Sequence, residues 1–266
     1  MRNLLRSLVA RHALFVVLSA ALLSAFQFLI CAAVASVDVS GALAALLESL
    51  PTMMQAMISA TLFGGLSVHG LLAFGWNHPI AQAVGAAVAI VLAARAVAGE
   101  AETGAIELLL SQPLSRGRYF AGQAGFALVA LALLTLAGLG GTLLGQRVFH
   151  VEPFSGPALV RLGADFLLLQ CAWFGITLLF SAFGREGGRV ASAGFLVALA
   201  SYLVQVIGQL WERAAFLAPY TFQHYFRPQG ILVKGEGIAR PAGVLLAVTL
   251  ATTAVAWWRF RRRDLP

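Results

Sequence analysis

The chain alternates between long apolar blocks and short polar connections that are rich in arginine. An α-helix of about 20 apolar residues crosses the hydrocarbon core of a bilayer. Five blocks meet this length and are predicted to span a membrane: residues 12–35, 126–145, 162–183, 190–210 and 241–258. A sixth span lies in the charge-free region between Glu48 and Arg95, which is long enough for two.

The positive-inside rule decides between one and two spans in that region. If residues 76–98 alone span, with 51–72 lying on or dipping into the outer leaflet, 12 of the 18 Lys and Arg residues fall on the inner side. If both halves span, the 18 divide equally. The sequence therefore predicts an all-α polytopic membrane protein with six transmembrane helices in one domain, residues 1–266, and both termini in the cytoplasm. Whether 51–72 is re-entrant, interfacial or spanning stays open.

Residues 1–11 precede the first span and have amphipathic character. Arg2 and Arg6 share one helical face and Leu4, Leu5 and Leu8 the other, which predicts a helix lying in the inner interface before the chain turns into the membrane. A frayed basic tail accounts for the same residues. The apolar run that follows exceeds a signal-peptide core, so we expect the first helix to be retained. Four tryptophans fall at predicted span ends, as interfacial aromatics do: Trp76, Trp211, Trp257 and Trp258.

Composition supports the membrane prediction and excludes several kinds of site. The chain is 60% hydrophobic and 11% charged, whereas soluble domains carry about 25% charged residues. The net charge is +7, and the basic residues stand in short clusters beside apolar runs. This placement indicates that they orient the chain in a membrane and not that they bind nucleic acid. Cys31 and Cys171 lie in apolar runs, and the histidines lack paired spacing. We therefore predict no disulfide and no metal site.

The polar stretch 99–118 joins the second and third predicted spans on the cytoplasmic side. Glu100 and Glu102 would occupy the first turn of a helix, where the dipole favours acids. An apolar stripe follows at helical spacing: Ile106, Leu109, Leu110 and Pro113. Thr103, Glu107 and Ser111 form the opposite, polar face. The pattern predicts an amphipathic helix from Glu100 to Gln112 that either lies on lipid or is gripped by another protein.

This stretch resembles the membrane permeases of ABC-2 exporters, in which a segment E-x-x-x-G-x-x-x-x-L-L-x-x-P-x-S-R follows the second span. The chain has the matching residues in the same order and spacing: Glu100, Gly104, Leu109, Leu110, Pro113, Ser115 and Arg116. LAPYTFQHYFRPQGILVKG (217–235) and AWWRFRRRDL (256–265) are similar to two further segments of the family. In that family the first segment contributes the coupling helix, which docks on the ATPase subunit.

The resemblance implies a transport subunit of the bacterial inner membrane and not an enzyme. No G-x-x-x-x-G-K-[ST] loop occurs in the chain, so ATP and Mg are expected in a separate ATPase subunit. The family arrangement implies two ATPase copies and a second permease copy, with no catalytic residue or cofactor in this chain. We expect a homodimer, but the sequence leaves a heterodimer open. The residues expected to dock on the ATPase are Glu100, Thr103, Gly104, Glu107, Ser111, Pro113 and Arg116.

A second set of polar residues offers candidates for a substrate path. It comprises Gln27, Gln205, Gln209, Tyr220 and Tyr225. Glutamines inside spans also join helices by hydrogen bonds, so each has a structural alternative. Asp165 is expected to pair with Arg161 at i, i−4, and Gly141 and Gly145 to form a helix-packing face.

The leading prediction is export of a hydrophobic or amphipathic compound, a substrate class that the resemblance implies. Three alternatives remain open. The first is a permease for maturation of a periplasmic metalloenzyme, of the nitrous oxide reductase type. The second is an intramembrane lipid-modifying enzyme, which would need converging catalytic groups that the sequence does not show. The third is a membrane anchor for an ATPase, without a transported substrate.

Overall fold

A computed structural model describes residues 2–36, 67–104 and 115–263. The described residues are predominantly helical and contain no strand, which confirms the all-α prediction. The helices, in chain order, are α1 (Arg2–Ser36), α2 (Val68–Asn77), α3 (Pro79–Ala94), a π-helix (Arg95–Gly99), α4 (Glu100–Glu102), α5 (Arg116–Val148), α6 (Gly156–Phe183), α7 (Gly187–Leu210), two 3-10 helices (Glu212–Tyr220 and Phe222–Tyr225), α8 (Pro228–Leu232) and α9 (Ala239–Arg261).

Six helical stretches are long and apolar enough to cross a membrane, which confirms the predicted number of spans. The second of them is Val68–Glu102, a continuous run that comprises α2, α3, the π-helix and α4. The other five are the single helices α1, α5, α6, α7 and α9. Helix α6 lies at the centre of the bundle, because 72% of its most apolar 18-residue stretch is buried. It packs against α3, α5, α7 and α9. Helix α9 lies at the periphery, because only 11% of its most apolar 18-residue stretch is buried.

The first span is a single helix of 35 residues, about 50 Å long at 1.5 Å per residue. It does not turn at residue 11, so the expected separate interfacial helix is not a separate element. Leu4 and Leu8 are buried because they extend the apolar face of α1 that packs on the bundle. The predicted location of these first turns at the membrane interface stays a prediction.

The second span begins earlier than predicted and is broken once. Ser67 caps α2, its Oγ accepting a hydrogen bond from the Gly70 amide at 3.0 Å. The break falls at His78, whose backbone is extended because Pro79 follows it. Residues 68–72, expected on the outer leaflet, are therefore part of the span's helix, whereas 51–66 lie outside the described residues. Trp76 is fully buried against Phe166, so the prediction of an interfacial side chain there is wrong.

Glycines set the close contact between α1 and α5. A Cβ at Gly141 would overlap the Ser24 carbonyl oxygen, and one at Gly145 would lie 2.6 Å from the Cys31 Cβ. The two backbones therefore approach within a distance that only glycine allows. This contact confirms the predicted packing face.

Ion pairs and hydrogen bonds between helices show that both termini lie at the same end of the bundle, which we call the terminal end. Arg11 of α1 pairs with Glu100, and Glu102 contacts the start of α7. Arg116 at the start of α5 contacts the end of α9. The opposite end, the distal end, holds the α5–α6 connection and the segment from Trp211 to Ile238. Which end faces the cytoplasm stays a prediction.

At the distal end, Asp165 and Arg161 do not pair as expected. The Asp165 Oδ2 atom accepts a hydrogen bond from the Arg227 amide at 3.2 Å. Arg161 instead donates to the carbonyl oxygens of Gly235 and Glu236. Asp165 points into the core and is buried, whereas Arg161 reaches over the rim of the bundle. Each side chain binds a different part of the connection between α7 and α9.

Candidate functional site

The polar stretch after the second span does not continue as the expected helix from Glu100 to Gln112. Helix α4 ends at Glu102, and Gly104 adopts a left-handed backbone with φ of 69°. Its amide donates to the Ala101 carbonyl oxygen at 3.2 Å. Glycine favours this conformation and commonly ends helices in it, so the prediction is wrong at this point. Glu107, Ser111 and Pro113 lie outside the described residues.

Glu100 is buried and held by α1. Its Oε1 atom forms an ion pair with Arg11 Nη1 at 2.5 Å. The carboxylate side chain is 8% exposed, and Oε2 has no partner among the described residues. A buried charge of this kind is costly unless it is paired. Glu100 therefore fixes the end of the second span to α1 and does not present its carboxylate on the surface.

Glu102 joins the same region to α7. Its Oε2 atom accepts a hydrogen bond from the Gly187 amide at 2.8 Å, at the first residue of that helix, where the dipole favours a negative charge. The backbones are close here, because a Cβ at Gly187 would lie 3.0 Å from the Gly99 Cα. Thr103 is exposed beside this contact, and its hydroxyl donates to the Gly99 carbonyl at 3.2 Å.

The π-helix from Arg95 to Gly99 is tied to α5 and α6. The Ser181 hydroxyl accepts from the Ala98 amide at 2.9 Å and donates to the Ala94 carbonyl at 3.1 Å. The Tyr119 hydroxyl donates to the Ala96 carbonyl at 2.6 Å. A π-helix interrupts the regular α-helical hydrogen bonding of the backbone, and such turns are frequent at functional sites. Here buried side chains from two other helices satisfy those groups.

Arg116 binds the end of α9. Its Nη1 atom donates to the Arg261 and Arg263 carbonyl oxygens at 3.0 and 2.8 Å. These carbonyls lack intrahelical partners, and a cation is favourable at a helix C-terminus. Ser115 caps α5 by accepting from the Arg118 amide. Arg116 is therefore engaged inside this chain, at the point where the third span begins.

Glu100 and Glu102, with Arg11 and Gly187, line a cleft of about 540 Å³ at the terminal end. Its walls come from α1, α3, the π-helix, α4 and α7. The polar and charged side chains that line it are Arg11, His12, Arg95, Glu100, Glu102 and Thr103. The cleft places both acids of the second span next to the start of α7. We call the region from Gly99 to Gly104, with its contacts to α1 and α7, the coupling region.

A second, largely apolar cavity of about 370 Å³ lies at the distal end between α3, α6, α7 and the second 3-10 helix. We call it the distal pocket. Trp173, Tyr202 and Phe195 form much of its wall, together with the buried amides of Gln82 and Gln223. The Gln82 Nε2 atom donates to the Trp76 carbonyl at 2.8 Å, across the break between α2 and α3.

The predicted path residues do not converge on one site. Gln27 is buried and lies 3.4 Å from the Gly75 carbonyl oxygen, between α1 and α2, which matches its structural alternative. Gln205 is half-buried and Gln209 exposed, both on α7. Tyr220 is 83% exposed, and the Tyr225 hydroxyl donates to the Pro219 carbonyl. No hydrogen bond within the described part of the chain joins any two of these five.

His224 lies beside Tyr225 in the second 3-10 helix, with its Nε2 atom 2.6 Å from Arg227 Nη2. Partial burial, and then the positive charge of Arg227, lower the pKa of His224 below its ordinary value. The neutral ring can accept the guanidinium hydrogen bond, which a protonated ring cannot. Among the residues that the structure describes, no group of three or more His, Cys, Asp or Glu is placed to hold a metal ion.

Comparison with known proteins identifies the family. A family model described as "ABC-2 family transporter protein" matches residues 2–265. The chain belongs to the ABC-2 transporter family. A search among curated proteins found no match. The match covers nearly the whole chain, so the six helices and the coupling region all fall within the membrane part of an ABC-2 transporter.

Sequence reasoning found part of the site of this ABC-2 protein and missed the rest. It selected Glu100, Thr103 and Gly104, which the structure places together, and Arg116, which lies against α9. It did not select Arg11 or Ser181, because their partners are more than 80 residues away in sequence. The residues of the distal pocket were also missed. The one available signal was a glutamine three residues after the proline of the His78-Pro79 break, namely Gln82.

Proposed function

We propose that this chain is the permease subunit of an exporter that a separate ATPase subunit drives, and that the coupling region transmits the movement of that subunit. The contacts of one short stretch carry the proposal. The coupling region binds α1 through Arg11 and α7 through Gly187, and the π-helix that leads into it binds α5 through Tyr119 and α6 through Ser181. A displacement here acts on four other spans at once.

In this proposal the family segment has two kinds of residue. Glu100 and Arg116 are anchors, because both are engaged within the chain. Thr103 and Gly104 lead from the anchors into residues 105–114, where Glu107, Ser111 and Pro113 are proposed to contact the ATPase. ATP and Mg bind the partner, and the working unit contains two permease and two ATPase copies. Binding of ATP moves the spans only to the extent that it favours one conformation over the other.

The distal pocket supports a hydrophobic or amphipathic substrate. Its wall is mostly aromatic and aliphatic, and a small number of polar groups is typical of sites that orient a ligand. Tyr202 lines it, and Gln205 and Gln209 continue along α7 at spacings of three and four residues, on the same face. We propose that this face guides the substrate out of a bacterial inner membrane.

Site-directed cross-linking tests the docking site. Both native cysteines are buried, so neither should compete with a cysteine introduced by Glu107→Cys for a short cross-linker in native membranes. We expect a covalent product that contains an ATPase subunit. The matched control is Glu212→Cys, at an exposed acid of the distal end, which should give no such product.

A cross-link from both positions, or from neither while the variant complex still hydrolyses ATP, would contradict the docking site. Copurification of an ATPase subunit with the unmodified chain is a separate test. Absence of any ATPase from intact preparations would overturn the permease–ATPase assignment itself.

A further inference from the structure

Basic side chains gather where α6 ends and α7 begins, at the terminal end. Arg185 and Arg189 belong to this connection, and Arg259 and Arg263 reach it from the end of α9. The Arg259 guanidinium carbon lies 5.3 Å from the centroid of the Phe183 ring. Arg263 Nη1 lies 3.4 and 3.5 Å from the carbonyl oxygens of Ala182 and Ser181.

These arginines have little neutralising charge. Burial, and then the positive charges of Arg259 and Arg185, lower the pKa of Arg263. Among the described residues, the one acid that pairs with any of the four is Glu186, which lies 3.2 Å from Arg189. Asp264, next in the chain, lies outside the described residues. The cluster is therefore a concentration of positive charge that favours an anion.

An apolar groove begins beside the same arginines. It has a volume of about 700 Å³, and its walls are formed by Leu179, Phe180, Phe183, Val190 and Ala193, with Arg185, Glu186 and Arg189 at one end. Helices α6 and α7 are both spans, so the apolar wall lies at the depth of lipid tails and the charges at the depth of headgroups. Phe183 is 57% exposed in it.

We propose that this groove binds one anionic phospholipid, with an acyl chain along Phe183 and Val190 and the phosphate among Arg185, Arg189 and Arg259. Charge complementarity selects the lipid. A zwitterionic lipid brings its own cation into a site that already repels cations, whereas phosphatidylglycerol brings a net negative charge. The inference needs only that α6 and α7 span a membrane. It does not depend on the proposed ATPase or on transport.

Native mass spectrometry of the detergent-purified protein tests the site. Phosphatidylglycerol and phosphatidylcholine with identical acyl chains are titrated separately, and the first lipid bound is quantified. Each arginine near a headgroup favours an anionic lipid by about fivefold. We therefore expect tighter binding of phosphatidylglycerol, and a loss of about 25-fold in the double variant Arg185→Gln/Arg259→Gln.

The control is Arg213→Gln/Arg240→Gln, which removes the same charge from exposed positions at the distal end and should bind phosphatidylglycerol as the parent does. Ala193→Phe keeps every charge and fills the groove, so it should also weaken the first lipid, even if the double variant fails to fold. Equal binding of the two lipids by the parent protein would overturn the proposal. Equal losses in the two double variants, or displacement of the lipid by millimolar inorganic phosphate, would overturn it as well.

Discussion

Removing Arg11 should destabilise the protein more than removing its partner as well. In Arg11→Ala the Glu100 carboxylate stays 8% exposed and loses its ion-pair partner. Breaking a fully buried pair in this way costs about 3–5 kcal/mol. Because the Arg11 side chain is 47% exposed, solvent already screens part of the interaction. We therefore expect about 2 kcal/mol.

The neutralised variants separate the charge from the contact. Glu100→Gln keeps an acceptor for Arg11 but removes the charge, which should cost about 1 kcal/mol, the size of one hydrogen bond. Arg11→Ala/Glu100→Gln contains no orphaned charge, so it should regain about 1 kcal/mol relative to Arg11→Ala. The prediction is that the double variant is more stable than Arg11→Ala. If the two substitutions acted only by removing contacts, the double variant would be the least stable of the three.

Thermal unfolding in detergent, followed by tryptophan fluorescence, measures these differences. A loss of about 2 kcal/mol lowers Tm by roughly 4–8 °C in a chain of this size. The control is Arg189→Ala, which breaks the exposed pair with Glu186 (side chains 82% and 52% exposed) and should change Tm little. If Arg11→Ala matches that control, or if the double variant falls below Arg11→Ala, the inference that Arg11 neutralises a buried Glu100 is refuted.

Three further variants test other contacts. Gly141→Ala should lower the free energy of unfolding by about 1–3 kcal/mol because its Cβ overlaps the Ser24 carbonyl, whereas Gly140→Ala, which meets nothing within 4 Å, should not. Ser181→Ala should cost about 2 kcal/mol by leaving the π-helix amides unpaired, and the exposed Ser192→Ala should be near neutral in the same unfolding assay. The lowered pKa of His224 means that protonation favours the unfolded chain, so stability should fall as pH drops below about 6.5. His224→Gln should flatten that part of the Tm–pH curve, and an unchanged slope would contradict the assignment.

The sequence predicted the number of membrane spans because span length and charge bias are properties of continuous segments. Apolar blocks of about 20 residues need no information about neighbours to be recognised. Gly141 and Gly145 were recognised for a similar reason, since two glycines one turn apart mark a helix face. These features are encoded locally, and the structure confirms them.

Features that depend on a partner distant in sequence, or on an unusual backbone conformation, could not be predicted. Arg161 and Asp165 are four residues apart and compatible with a local pair, but tertiary contacts give each a different partner. Trp76 lies near a predicted span end, yet the helix begins eight residues earlier and carries the ring into the core. Gly104 stands in an otherwise helical pattern, and its left-handed backbone ends the helix. In each case a contact or a backbone conformation overrides the pattern.

The second span has the form of a rigid rod with an irregular turn at each end. Helix α3 contains 16 residues between the extended His78 and the π-helix, and regular helical hydrogen bonding makes it stiffer than either flank. Its terminal-end flank leads into the coupling region, and its distal end contributes Pro79, Gln82, Ala83 and Ala86 to the distal pocket. Gly85 lies against Gln170 of α6 so closely that a Cβ there would fall 2.6 Å from the Gln170 Cδ. In the mechanism that we propose, a displacement applied between Gly99 and Gly104 moves α3 as a unit, and the wall of the distal pocket moves with it.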